Sequence, residues 1–483
     1  MRFLRRNGYS LIDNSVEVAF DNSSTRSNFN PEGTTVIGTI FLLLNATLGA
    51  GLLNFPLAFD RSGGVISAII VQLSFLIFIT IALVTLANCS DITKTSSMPD
   101  TVAGLCGPKT LILCGICVTI YSFGCCLTFI IVIGDQFERV LATYYGTDYC
   151  HHWFLSRTFI TCVSCTLFIL PISFFKRLDI LSYVSSVGCI TIVYVIWVII
   201  HQSINTPDYP KPTQAWPRNA SQAFQLVPII CFAYQTFHLN THINFSYIYI
   251  YMNIYIYEKY MKMHTHMTSI PTYACMKDRN LGKFTWCVIA SMGLCFFSYT
   301  IVGIFGYKTF GMGHVPSDIL QGYSDKSASL AIAIIAIAVK NFTTYPIVLF
   351  CGRSSLMGLF HAEIEDNVAV RAFVTLLWFI LTLFAAVVIS DISPVINLMG
   401  TLSATFIFIF PGICLLQSVL VKDPAFRLYK SRFLIVVAVV MTALGGFVCG
   451  LVFVQALEDL YQVPVDKKFV TGVRIGLGGS LCI

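Results

Sequence analysis

Charge is scarce in this chain. Only 11% of its 483 residues are Asp, Glu, Lys or Arg, 56% are hydrophobic, and the mean hydropathy is +0.76. A soluble domain of this length cannot cover its surface with so little charge, which excludes that class. The net charge of +6 is modest and gathers in no basic stripe, so nucleic acid is not an expected partner. No nucleotide-binding motif occurs, and no apolar segment clusters the His, Asp or Glu that intramembrane chemistry needs. The chain is therefore not expected to be an enzyme. Met1 to Arg6 is basic, but no apolar run follows it. Residues 1–34 read as a disordered, polar, cytoplasmic tail and not as a signal peptide. Most of the eighteen cysteines fall inside apolar stretches, where they act as small apolar side chains. Cys114-x-x-Cys117 and Cys162-x-x-Cys165 have zinc-like spacing but no further ligands beside them, so no metal cofactor is expected. Cys150 falls in an expected outer loop without an obvious disulfide partner.

What the chain has in abundance is long apolar sequence. A helix needs ~20 apolar residues to cross a bilayer. Eleven stretches qualify, near 36–58, 64–88, 110–134, 158–175, 180–201, 222–236, 284–308, 328–350, 371–390, 394–417 and 433–455. This is an all-α polytopic membrane protein embedded in a lipid bilayer. With the N-terminus inside, the inner segments hold nineteen Lys and Arg against ten in the outer ones. That bias orients the N-terminus to the cytoplasm. Eleven spans then put the tail at 456–483 on the non-cytoplasmic side, behind a membrane domain at 35–455.

Two of the spans interrupt themselves. Residues 45–56 read Asn45-Ala46-Thr47-Leu48-Gly49-Ala50-Gly51-Leu52-Leu53-Asn54-Phe55-Pro56. Proline costs about 3 kcal/mol inside a helix and glycine about 1. A broken span must still satisfy its backbone, and irregular backbone at membrane depth lines a protein cavity. The sixth span is as irregular: Pro228-Ile229-Ile230-Cys231-Phe232-Ala233-Tyr234-Gln235 is short, opens on proline and ends polar. Glycines that only allow close packing would explain either break alone. Breaks at matching positions of two five-helix halves point to an inverted-repeat transporter.

Residues 236–265 stand apart. Tyr247-Ile248-Tyr249-Ile250-Tyr251 and Ile254-Tyr255-Ile256-Tyr257 are what a TATATA repeat encodes, and His264-Thr265-His266 resembles a translated CA repeat. The stretch reads as retained intron or as a cytoplasmic insertion with a short interfacial hairpin. His238, His242, His264 and His266 belong to this low-complexity sequence and carry no expected metal site.

With the spans counted, a family resemblance becomes specific. It rests on Asn45 to Pro56, Ile133-Gly134-Asp135-Gln136, Phe168-Ile169-Leu170-Pro171 and Cys231-Phe232-Ala233-Tyr234-Gln235. It continues through Tyr345-Pro346 to Phe350-Cys351-Gly352-Arg353 and ends with Phe408-Ile409-Phe410-Pro411-Gly412. The chain resembles the sodium-coupled neutral amino acid transporters (systems A and N) of the amino acid/auxin permease superfamily. Within that family it is most similar to the branch of members seven and eight. The relatives continue past the sixth-span break as His-x-Ser/Thr-Ser-x-Pro, which His266-Met267-Thr268-Ser269-Ile270-Pro271 fits. The resemblance implies a five-plus-five inverted repeat, alternating access and symport of neutral amino acids, glutamine foremost. It implies sodium or protons as coupling ions, with the plasma membrane or the lysosome as the location.

A zwitterion needs a patch of each polarity. Amides at Gly49, Ala50 and Gly51 open the second half of span one, where a carboxylate is favoured and no Cβ blocks its approach. Carbonyls near Phe232 and Ala233 suit the amino group. Tyr121 and Tyr234 read as substrate-facing hydroxyls or as packing. The resemblance assigns Asn45, Thr343 and Thr344 to sodium; polar residues in spans also simply bond neighbouring helices. Lys340 departs from the relatives, which carry a small or apolar residue there. It shares a face with Thr344 and reads as a cation surrogate, a snorkelling lysine or one half of an ion pair. The sequon Asn219-Ala220-Ser221 lies in an expected outer loop and suits glycosylation. A sensor that binds amino acids without moving them is the alternative to a transporter. The short N-terminal tail, without docking motifs, argues for transport.

Overall fold

A computed structural model describes residues 34–95, 98–145, 153–174, 179–205, 212–235, 272–273, 276–323, 327–360, 368–389, 392–422 and 429–461. The unusual segment at 236–265 and most of both tails lie outside the described residues.

The apolar runs fold as helices that start and stop where their sequences supply caps. Helix α1 (Val36–Thr47) begins behind Thr35, whose hydroxyl accepts from the Gly38 amide. A 3₁₀ turn, Ala50–Asn54, follows, then α2 (Phe55–Arg61), with proline in its first turn. The chain bends by 56° between the two halves. Gly63 and Gly64 turn it back at φ +75° and +143° into α3 (Val65–Thr93). A Cβ on Gly63 would stand 2.6 Å from Pro217 Cα, so this turn needs glycine for shape and for space.

The short α4 (Met98–Cys106) leads into α5 (Pro108–Tyr145). Then come α6 (Arg157–Ser173), α7 (Asp179–Asn205), α8 (Val227–Ala233) and α9 (Leu281–Phe310). The remainder are α10 (Ala328–Phe360), α11 (Val368–Val388), α12 (Ile392–Lys422) and α13 (Tyr429–Tyr461). Among the described residues eight helices are long and apolar enough to cross a membrane, and the bent α1–α2 pair makes up to nine. Helix α6 and the segment Gln222–Ala233, which contains α8, are shorter and apolar. Thr34 and Met276 form one isolated bridge, the only β pairing among the described residues.

Several helices overrun the expected spans, and polar partners explain why. Helix α5 continues past residue 134 because Asp135, fully buried, is paired with Arg157 at 2.9 Å. The next residue, Gln136, donates to Asp318 at 2.5 Å. Helix α10 continues past 350 because Arg353, also buried, donates to Thr375 Oγ1 at 2.6 Å. The Phe-Ile-x-Pro segments of α6 and α12 each begin inside a π turn, Cys165–Ile169 and Thr405–Ile409, and their prolines follow it. The wider turn makes room for the rings of Pro171 and Pro411, which would otherwise collide with the preceding turn.

Helices α5 and α10 pack along each other, α9 packs on α1, α2, α3 and α7, and α8 lies on α12. Gly400 makes the last contact possible: a Cβ there would sit 2.6 Å from the Pro228 carbonyl oxygen. Outward-facing Phe41, Ile77, Phe373, Phe384 and Phe447 are exposed, as lipid contact requires.

Candidate functional site

Breaking a helix frees carbonyls, and their new partners define the centre of this molecule. In α1 the last regular bond runs from the Leu48 amide to Leu44 O at 2.8 Å. Beyond it the Leu52 amide bonds Gly49 O at 3.1 Å instead of Leu48 O. The carbonyls of Thr47 and Leu48 are thereby released. Tyr299, fully buried on α9, takes the first: its hydroxyl donates to Thr47 O at 2.7 Å and shares the proton with Ala233 O at 3.0 Å. One phenol thus ties the break of α1 to the end of α8. Phe55 stacks on the Tyr299 ring at 4.2 Å and 6°, and Tyr234 meets it edge-on at 5.0 Å.

The α1 break and the end of α8 approach each other closely at their backbones. A Cβ on Gly51 would lie 2.8 Å from Ala233 Cβ and 3.0 Å from Ala233 Cα. Phe232 faces Tyr121 with ring centroids 6.5 Å apart, and Tyr121 also packs edge-on against Phe406 at 5.9 Å. The Tyr121 hydroxyl pairs with Ser403 of α12. That of Tyr234 accepts from Gln72 Nε2 at 2.7 Å, and Gln72 Oε1 accepts from Thr300 at 3.3 Å. Gln235, next in the chain, is 5% exposed, and neither end of its amide has a partner among the described residues.

The second freed carbonyl, Leu48 O, accepts from Lys340 Nζ. Around this contact lies a cavity of about 30 Å³, lined by Asn45, Leu48, Gly49, Lys340, Thr343 and Thr344 among others. Thr343 and Thr344 both donate to Lys340 O at 2.8 Å. Asn341, which also lines the cavity, is 3% exposed, and its Nδ2 has no acceptor among the described residues. A volume this small holds a water or an ion and no amino acid.

The expected residues therefore fall into two adjoining groups. Asn45, Gly49, Thr343, Thr344 and Lys340 share the cavity. Gly51, Phe232, Ala233, Tyr121 and Tyr234 lie at the junction of the two breaks. Ala50 opens the 3₁₀ turn between them. Sequence reasoning missed Tyr299, Gln72, Gln235 and Asn341. Gln72 and Asn341 were visible as lone amides in apolar runs, but nothing local separates Tyr299 from the other aromatic residues of its span.

Both ends of the bundle are tied across these elements. At one end Tyr273 donates to Asp91 at 2.5 Å, Arg279 reaches the same carboxylate at 3.3 Å, and the Lys277 amide bonds Thr34 O at 2.9 Å. Burial, together with the neighbouring Asp91, pushes the Tyr273 phenol up. At the other end Asp60 accepts from the Gly313 amide at 3.0 Å, and Asn54 donates to Ser317 O at 3.0 Å. Among the described residues no three His, Cys, Asp or Glu gather into a metal-binding group.

A family model described as transmembrane amino acid transporter protein matches residues 32–247 and 264–455, leaving 248–263 outside the match. The chain is similar to sodium-coupled neutral amino acid transporter 7 of Danio rerio, 32% identical over 454 residues, 91% of each chain. The human protein of that name is 32% identical over 429 residues, 86% of each chain. A putative sodium-coupled neutral amino acid transporter 8 of Xenopus tropicalis is 32% identical over 405 residues, 79% of this chain and 84% of that one. Among solved structures, a manganese transporter of Eremococcus coleocola, in complex with an aromatic bis-isothiourea substituted compound, has a TM-score of 0.54 at 11% identity. The match covers 91% of this chain and 90% of that one and bears on the fold alone.

Proposed function

The chain belongs to the family of transmembrane amino acid transporter proteins, and on that premise we propose that it is a secondary active transporter of neutral L-amino acids, glutamine among them. Its relatives are transporters and not enzymes, and the Danio rerio and human relatives described above are named as sodium-coupled neutral amino acid transporters. The observation that carries the reading is the meeting of the α1 break and the end of α8 at Gly51 and Ala233, beside the Gln235 amide, which has no partner among the described residues. Amides of Ala50 and Gly51 at the start of the second half-helix suit the carboxylate of the substrate. The Phe232 and Ala233 carbonyls suit its amino group, and Gln235 suits a polar side chain such as glutamine's. Loading substrate requires the Tyr299 hydroxyl to yield at least one of its carbonyls, which supports alternating access through relative motion of α1 and α8. The two halves form a five-plus-five inverted repeat in an eleven-span chain, with sodium or protons as the coupling ion and the plasma membrane or lysosome as the location. Asn45, Thr343 and Thr344 supply the oxygens of the cation position.

Purified protein in liposomes loaded with glutamine tests this. Exchange of external radiolabelled glutamine for the internal pool, saturable and competed by other neutral amino acids, is the expected result. Glutamine binding without flux under any ion gradient would instead identify a sensor.

The orientation has its own test. Asn219 is exposed and precedes the helical turn Ala220–Phe224. With the N-terminus in the cytoplasm this loop faces the glycosylating side. Expressed protein is expected to lose one glycan of mass on endoglycosidase treatment, and Asn219→Gln should already run at the lower mass. A wild-type band that does not shift overturns the assignment.

A further inference from the structure

We propose that the ammonium of Lys340 is a tethered cation, occupying the position at the α1 break where a free sodium ion would otherwise bind. The proposal rests on the transport reading above and narrows it: this chain moves its amino acid without binding sodium at that position.

Four observations carry it. First, Lys340 Nζ donates to Leu48 O, one of the carbonyls that the α1 break releases. Such a carbonyl is the kind of oxygen that a bare monovalent cation takes as a ligand. Second, the surroundings are rich in acceptors. Asn45 lines the same cavity, and the Thr343 and Thr344 hydroxyls turn their protons to Lys340 O, which leaves their oxygens to accept. Third, the chain makes room for the lysine. The position of a Cβ on Gly188 of α7 is 2.9 Å from Asn45 Oδ1, 3.4 Å from Lys340 Cε and 3.6 Å from Lys340 Cδ. A larger residue there would displace the stem of the lysine and the asparagine oxygen together. Fourth, no acidic residue lines the cavity among the described residues, so nothing compensates a second positive charge.

The consequence follows from Coulomb's law. A sodium ion ~4 Å from an ammonium, at an effective dielectric of ~20, is disfavoured by roughly a thousandfold in affinity. A tethered ammonium also links α10 to the α1 break permanently. That link then needs no ion from solution, and at this position an external sodium gradient has nothing to act on. The lysine does not behave as a snorkelling residue, because its amine ends on a carbonyl inside the bundle and not at a membrane surface.

The experiment uses the full chain in glutamine-loaded liposomes, with external sodium compared against choline. Wild-type exchange is expected to change less than about twofold, and Lys340→Ser exchange to rise about tenfold or more in sodium once the repulsion is gone. Wild-type exchange stimulated tenfold by sodium overturns the proposal. So does a Lys340→Ser protein that exchanges glutamine and ignores sodium. Thermal unfolding in detergent gives a second readout independent of transport. Sodium should raise the melting temperature of Lys340→Ser, or of the neutral near-isostere Lys340→Gln, relative to choline and leave the wild type unmoved. A sodium shift as large in the wild type as in the variants overturns the proposal. If no protein exchanges glutamine, the transport reading fails while this thermal comparison still decides the role of Lys340. The wild-type arms need no variant to fold.

Discussion

Gly51→Leu is expected to abolish glutamine exchange, and Gly51→Ala to reduce it by an order of magnitude or more. The position of a Gly51 Cβ is 2.8 Å from Ala233 Cβ and 3.0 Å from Ala233 Cα. Ala233 cannot swing aside like the end of a long side chain, because one of the clashing atoms is backbone. That backbone is held in turn by the bond from Tyr299 to Ala233 O. An added methyl must therefore push the two broken segments apart, and overpacking of this kind costs about 1–3 kcal/mol. The effect on function is larger than on stability, because the separated segments are those proposed to close around the substrate. A double-mutant cycle gives the check. Ala233→Gly removes the closer of the two clashes, so Gly51→Ala with Ala233→Gly should recover part of the lost exchange. Two independent, additive losses would show that the contact is not what Gly51 serves.

Removing one oxygen should have the second large effect. Tyr299→Phe keeps the stack on Phe55 and the edge contact with Tyr234, since both belong to the ring. It deletes the proton that Thr47 O and Ala233 O share. Both carbonyls then lie buried without that donor, and an unsatisfied buried group costs ~1–3 kcal/mol. A stability loss of about 2–4 kcal/mol is expected, read as a lowered melting temperature, together with at least tenfold slower exchange. Tyr234→Phe is the control. It removes the bond from Gln72 and leaves the link between the two breaks intact, so its effect should be smaller. Equal losses in the two variants would mean that any buried phenol in this cluster matters as much as the one at the breaks.

How much of this was legible beforehand differs from residue to residue. The helical membrane class was plain, and so was the interruption at Asn45 to Pro56, because hydropathy and the cost of glycine and proline act locally. The observed 3₁₀ turn, Ala50–Asn54, lies inside that interval. The short helix Val227–Ala233 likewise falls where Pro228 and the polar Tyr234-Gln235 step bracketed it. Helix ends were less legible where a distant partner extends them, as Arg157 does for Asp135 and Thr375 for Arg353. Asn45, Thr343, Thr344 and Lys340 were separate suspicions, and the fold brings them around one cavity.

Sequence alone determined that this chain lives in a membrane as helices, that the first of them breaks and that the sixth is short. Apolar length and backbone propensity depend only on neighbours along the chain. Which groups answer the freed carbonyls was decided only in three dimensions. Tyr299 reaches Thr47 O from 252 residues away, and Lys340 reaches Leu48 O from 292 away. No periodicity encodes such a partner. It is chosen by how α9 and α10 pack against the broken helix, and by the glycines that let the backbones come close enough for a side chain to take the place of a missing turn.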